Sequence, residues 1–165
     1  MKLEFDVKIS EKDLYSFNLK QAYKGSQGVV SILIFIALSV AAGVYISNAQ
    51  YLYAGVYEAI GVVMLLYVPI SLKGRVKLAF KTNKTFSKPL HFEIDDKAIC
   101  VSQDDEKSEL PWDMVYKYVA SKTDIYIFSN RKNAYILSRT QLGDNFDKLS
   151  EIAKSALESY RVKIK

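Results

Sequence analysis

The chain of 165 residues has one cysteine, Cys100, one histidine, His91, and three prolines. A lone cysteine excludes an internal disulfide and fits a reducing compartment. Without a His/Cys cluster a zinc site has no ligands to build from. No Gly-rich phosphate loop or nucleophile elbow is present, and a Ser/His/Asp triad would have to recruit His91. The acidic stretch Asp104-Asp105-Glu106 lacks the spacing of an EF-hand loop and reads as a solvated turn. No catalytic residue, cofactor or metal is expected, and the chain is not read as an enzyme.

Charge is scarcest in the middle. Residues 29–72 contain one acid, Glu58, and no base, whereas residues 73–165 contain 18 Lys+Arg against 13 Asp+Glu. The formal net charge of +5 therefore resides almost wholly in the C-terminal part. A mean hydropathy of +0.00 conceals this division. Two apolar runs, residues 29–47 and 52–72, flank an uncharged connector, Ser47-Asn48-Ala49-Gln50-Tyr51. Roughly 20 helical residues span a hydrocarbon core about 30 Å thick, and both runs reach that length. Neither shows the polar stripe of a surface-lying helix. A transmembrane α-helical hairpin is expected. The first 28 residues alternate charged and apolar groups, unlike a signal peptide.

Positive charge in short flanking segments sets orientation. Lys20 and Lys24 precede the first run; Lys73, Arg75, Lys77, Lys81, Lys84 and Lys88 follow the second, with no acid between Glu58 and Glu93. Both termini are expected in the cytoplasm of a cell (inner) membrane protein, with the connector outside. Tyr45, Tyr51 and Tyr53 gather at the outer surface, where amphipathic rings favour the interface. Small residues (Ala37, Ala41, Ala42 and Gly43; Ala54, Gly55, Ala59 and Gly61) permit close helix contact, within one chain or between copies.

Residues 1–9 alternate Leu3, Phe5, Val7 and Ile9 with charged groups, the period of a strand. That strand needs a sheet to join, and the sheet after residue 88 is the expected one. Ser10 and Asp13 open a helix to about Lys24. Beyond the second span a basic helix is expected over residues 73–86. Strands then follow at Leu90–Ile94, 98–102, 108–112, 114–121, 125–129 and Ala134–Ser138, with a final amphipathic helix over 144–160. Strands capped by one helix make an α+β domain. Three segments result: a cytosolic strand and amphipathic helix (1–28), the two-helix hairpin (29–72), and a basic helix with a cytosolic domain (73–165).

Leu110-Pro111-Trp112-Asp113-Met114-Val115, Ile125-Tyr126-Ile127-Phe128 and Ala134-Tyr135-Ile136-Leu137-Ser138-Arg139, followed by Phe146 and the terminal helix, resemble the YcxB-like family of bacterial membrane proteins. The stretch 10–18 is similar to the family's opening segment. The resemblance implies two spans followed by a pleckstrin-homology-like domain, a bent antiparallel sheet closed by a C-terminal helix, with no established reaction to carry over. One position differs: Ser138 stands where a proline commonly precedes the basic residue.

These readings point to a membrane-anchored binding or regulatory module. Its expected partners are the lipid bilayer and an unidentified membrane or cytosolic protein; nucleic acid is not expected, and a homo-oligomer is left open. Lys73, Arg75, Lys77, Lys81, Lys84 and Lys88 are the candidate contacts for anionic headgroups, each contributing about 1 kcal/mol near the surface. Glu58 is the candidate intramembrane acid. It supports the alternative of a small transporter accessory or proton-coupled component, but it lies only about two turns from the outer surface, within reach of snorkelling. Trp112, Tyr116 and Tyr118 read as sheet packing, with a partner groove as the other assignment.

Overall fold

The computed structural model describes residues 2–164, apart from the side chain of Lys84. Met1, at the start of the expected first strand, and Lys165 lie outside the described residues. The chain forms two units, Tyr15–Ala79 and Met1–Leu14 with Phe80–Lys165.

The first strand, β1 (Leu3–Val7), is followed by α1 (Glu11–Lys24). The Ser10 N–H donates to Asp13 Oδ2 at 3.0 Å and the Asp13 N–H to Ser10 Oγ at 3.2 Å, a reciprocal cap that satisfies two donors of the first turn. α2 (Ser26–Ser47) follows after Gly25 alone. A Cβ at Gly28 would lie 2.8 Å from both Ala22 O and Tyr23 Cα, so this corner closes only around glycine. α2 ends in a two-bond cap, Ala49 N–H to Ile46 O and Gln50 N–H to Tyr45 O, with Ala49 left-handed at φ 57°.

α3 (Tyr51–Thr82) is longer than the apolar run that announced it. The second apolar run and the expected basic helix are one continuous element that passes through Pro69 and ends before the helical turn Lys84–Phe86. Ala42 of α2 and Ala54, Gly61 and Val68 of α3 are buried. A Cβ on Gly61 would meet Phe35 Cδ2 at 3.2 Å and Leu38 Cβ at 3.5 Å, which places these small residues in contact within one chain. Elsewhere α2 and α3 expose Val, Ile and Leu, and only 11 % of the apolar window of each is buried. A soluble protein's core helix would be covered by protein; these two are long and apolar enough to cross a membrane, and they associate the chain with one.

The sheet-rich unit carries β1 with β2 (Leu90–Ile94), β3 (Ala98–Gln103) and β4 (Glu106–Pro111), antiparallel in the order β1-β2-β3-β4. β1 does join the sheet that begins after residue 88, in the register Leu3↔Ile94, Phe5↔Phe92 and Val7↔Leu90. The Phe5 and Phe92 rings stack at 5.6 Å. Just past β1 the Gln141 amide both accepts from Lys8 N–H at 2.8 Å and donates to Lys8 O at 2.9 Å, continuing the edge as a strand would. A second sheet holds β5 (Lys117–Ala120), β6 (Asp124–Phe128), β7 (Ala134–Ser138) and β8 (Val162–Ile164), in the order β7-β6-β5-β8. After the short α4 (Arg139–Leu142), α5 (Asn145–Ala156) buries Phe146, Leu149, Ile152 and Ala153 in a core shared with both sheets.

Three expectations change. The strand expected over 114–121 begins only at Lys117, because Trp112–Met114 forms a helical turn closed by Val115 N–H to Trp112 O. The helix expected to reach residue 160 stops at Ala156, and Tyr160 leaves its apolar face to become exposed. The last residues then form β8, which pairs in parallel with β5 through Tyr118↔Val162, Val119↔Lys163 and Ala120↔Ile164.

Candidate functional site

The cations expected to meet headgroups fall into distinct environments. Lys73, Arg75, Lys77 and Lys81 are exposed on α3, and four-residue spacing puts Lys73, Lys77 and Lys81 on one stripe while Val76 is buried on another. The side chain of Lys84 lies outside the described residues. Lys88 is already engaged: its Nζ donates to both carboxylate oxygens of Asp104, at 2.7 and 2.8 Å. Gln103 Nε2 donates to the carbonyls of Thr85 and Lys88, at 2.9 and 3.1 Å, fastening the segment after α3 to the β3–β4 turn. The structure thus separates four exposed helical cations from a lysine that holds a linker.

Glu58 shares the spacing of Ala54, Gly61 and Val68, residues buried along α3, and is itself half-buried. Within about one and a half turns, the Tyr45 ring packs on Tyr57 at 5.1 Å and on Tyr53 at 5.6 Å. Ser39 Oγ of α2 is buried and has no hydrogen-bond partner. Glu58 is the one carboxylate between residues 29 and 72, and no Lys, Arg or His stands there with it.

Other singled-out residues have structural partners. His91 Nδ1 lies 2.7 Å from Asp6 Oδ1 across the β1–β2 pair. Cys100 sits half-buried on β3. Among the described residues no group of three or more His, Cys, Asp or Glu side chains could hold a metal ion. The Asp104-Asp105-Glu106 stretch makes the β3–β4 turn, with Asp104 left-handed at φ 52°. Asp95 accepts backbone N–H bonds from Ala98 and Lys97, which hold its carboxyl below the usual range. The Asp95 carbonyl in turn accepts the Trp112 Nε1–H at 2.7 Å.

The three aromatic residues read together as packing divide. Trp112 and Tyr118 are buried, whereas Tyr116 is exposed and lines a groove of 460 Å³ with Met114, Arg131, Tyr160 and Arg161. The alternation around residues 114–121 hid this groove, since it offered no sign that Met114 and Tyr116 stand on a turn. A helical period carried through residue 160 hid Tyr160 in the same way.

Residues 94–153 match the family model described as YcxB-like protein. The chain carries a YcxB-like domain. No curated protein and no solved structure matches the chain. The YcxB-like stretch runs from the last residue of β2 through β7 and most of α5. It leaves out β1 and β8, each the outermost strand of one sheet.

Ser138, the departure from the YcxB-like pattern, closes β7 at φ −80° and ψ 137°. The Arg139 N–H donates to Thr123 O at 2.8 Å, so alternation along the ladder turns the Ser138 N–H away from β6. A proline there would adopt a compatible φ and remove no ladder bond. Ser138→Pro is accordingly expected to leave the fold intact and to stabilise it by up to about 1 kcal/mol through the unfolded chain. Thermal melting of the sheet signal checks this; a melting point several degrees lower would show that the N–H is needed.

Proposed function

We propose that the chain is a multi-pass membrane protein whose two spans anchor a pleckstrin-homology-like binding or regulatory module at the cytosolic face, and that it engages anionic lipid headgroups. The observation carrying this reading is the run of Lys73, Arg75, Lys77 and Lys81, exposed on the same helix that carries the second apolar run. Two four-stranded sheets sharing a core with a C-terminal helix support the pleckstrin-homology-like assignment. The cations that precede the first apolar run and follow the second support an inside position for both termini.

The test uses the full chain, because removing the residues before 73 would delete β1 from its sheet. In mild detergent, the intact protein should retain phosphatidylglycerol in preference to phosphatidylcholine, as counted by lipid mass spectrometry. Replacing Lys73, Arg75, Lys77 and Lys81 with Gln should abolish the preference, at about 1 kcal/mol or roughly fivefold per cation. Equal retention of the two lipids by the intact protein would overturn headgroup binding and leave a protein partner as the module's ligand. Reporter fusions at Asn48 and at the C-terminus read the topology independently.

A second reading has one observation behind it, the half-burial of Glu58 along the buried stripe of α3. As a proton-coupled accessory the chain would lose its flux on Glu58→Gln; an unchanged phenotype retires that reading.

A further inference from the structure

Of the sheet-rich unit's described residues, four large apolar or aromatic side chains stand well exposed: Met114 at 65 %, Tyr116 at 45 %, Tyr160 at 68 % and Ile164 at 46 %. They come as two pairs from segments far apart in sequence. The fold collects the first three around the groove of 460 Å³, and Ile164 belongs to β8, which directly follows the groove residue Arg161. A contiguous apolar patch with a polar rim on an otherwise well-covered unit marks a contact surface.

The rim specifies the chemistry. Arg131 and Arg161 line the groove itself, Lys132 is the next residue of the exposed β6–β7 turn, and Lys117 Nζ lies 5.6 Å from the centre of the Tyr116 ring. These four cations face two nearby carboxylates, Asp113 in the groove wall and Glu158, whose Oε2 lies 4.0 Å from Arg161 Nε. The surplus is positive. Ser129 and Asn130 also line this wall, and Asn130 Oδ1 accepts the N–H groups of Lys132 and Asn133, at 2.9 and 2.8 Å, which fixes the turn that presents the two basic residues.

The apolar tips are held in place too. Arg161 Nη1 donates to the carbonyls of Asp113 and Val115, at 3.0 and 3.3 Å, and its Nε to Tyr160 Oη at 3.1 Å. One guanidinium therefore ties the turn carrying Met114 to the turn carrying Tyr160. Fixing these tips in advance removes part of the ordering cost of binding.

We propose that this face docks on an anionic phospholipid surface, with Met114, Tyr116 and Tyr160 entering the interface and Arg131 and Lys132 meeting headgroup phosphates. Tyrosine is suited to that depth because its ring is apolar and its hydroxyl remains wet. The positive surplus matches a phosphodiester anion, and the apolar helices of the same chain keep a bilayer at high effective concentration. The inference rests on the membrane-anchored reading above and adds to it a second contact, on the folded unit itself.

The experiment places one nitroxide label at a time on the full chain in lipid nanodiscs, in a Cys100→Ser background. Met114→Cys and Tyr160→Cys probe the face; Lys122→Cys, in the exposed turn at the other end of β5, is the control. In discs containing phosphatidylglycerol, labels at 114 and 160 should collide at least threefold more with oxygen than with a water-soluble nickel chelate, relative to the label at 122. In pure phosphatidylcholine that ratio should fall back, as it should in phosphatidylglycerol when Arg131 and Lys132 are both changed to Gln. Labels at 114 and 160 that stay water-accessible in both lipids would overturn the proposal. So would shielding that is equal in both lipids or that persists in detergent alone, which would indicate a protein contact. Retained phosphatidylglycerol preference with water-accessible labels would reject this face and leave the α3 cations as the lipid contact. Shielded labels together with a phosphatidylglycerol preference that survives the four α3 substitutions would reject the helical contact and keep this face.

Discussion

Tyr118→Ala is expected to remove a large share of the sheet-rich unit's stability and to lower its urea midpoint steeply, while Tyr118→Phe leaves it nearly as stable as wild type. Tyr118 is fully buried on β5, and its Oη lies 2.9 Å from Ser150 Oγ on α5. Truncation removes an aromatic ring from a core built by two sheets and a helix, at a cost of about 3–5 kcal/mol. Small domains have about 5–15 kcal/mol in total, so the loss is a large share. The Phe variant retains the ring. It also leaves Ser150 Oγ donating to the Phe146 carbonyl at 3.1 Å, so no donor is orphaned and the cost is about 1 kcal/mol.

Burial raises the Tyr118 phenol above its ordinary value near 10, so the folded unit holds this proton more tightly than the unfolded chain does. The contribution is complete below pH 10 and is lost as pH rises from there. Wild type should therefore lose stability above pH 10 more steeply than Tyr118→Phe. Urea titration of near-ultraviolet dichroism, run on the full chain in detergent across that pH range, reads both effects. An Ala variant that unfolds at the wild-type urea midpoint would show that the ring is not part of the core.

Local signals make much of this fold readable in the sequence. The apolar runs, the Ser10–Asp13 cap and the alternation of β1 each depend on contacts within a few residues, and the first turns and strands follow them. What stayed hidden depends on distant partners. β8 is three residues long and exists because β5, some 40 positions earlier, offers it an edge, so no local period announces it. Pro111 has no N–H to donate, and the turn after it is fixed by the Trp112 indole reaching back to Asp95. A continuous strand pattern could not reveal that reach. The same reason explains the candidate sites. Lys88 looked like one more juxtamembrane cation until the β3–β4 turn brought Asp104 to it, and the Met114–Tyr116–Tyr160 groove is assembled from segments about 45 residues apart.

The hairpin supplies the other large effect, an all-or-none cross-link. An ideal Cβ at position 61 lies 3.5 Å from Leu38 Cβ, at the close end of the range of about 3.5–4.5 Å that a disulfide bridges. With Cys100→Ser, the pair Leu38→Cys and Gly61→Cys should oxidise almost completely within one chain. A protease site introduced at Asn48–Gln50 would then leave the two halves joined until reductant is added. The pair Gly43→Cys and Gly55→Cys is the matched control, since a Cβ at either position meets nothing within 4 Å. Dimers in place of internally linked monomers at 38 and 61 would move the contact to the seam between copies. That distinction bears on function, because α2 packed on α3 in one chain encloses small and apolar residues with one half-buried acid, Glu58. Such a hairpin satisfies its own backbone and buries its small residues without a polar lining for solute to follow. On the proposed reading it acts as an anchor, and the recognition chemistry then comes from the exposed cations of α3 and from the sheet-rich unit.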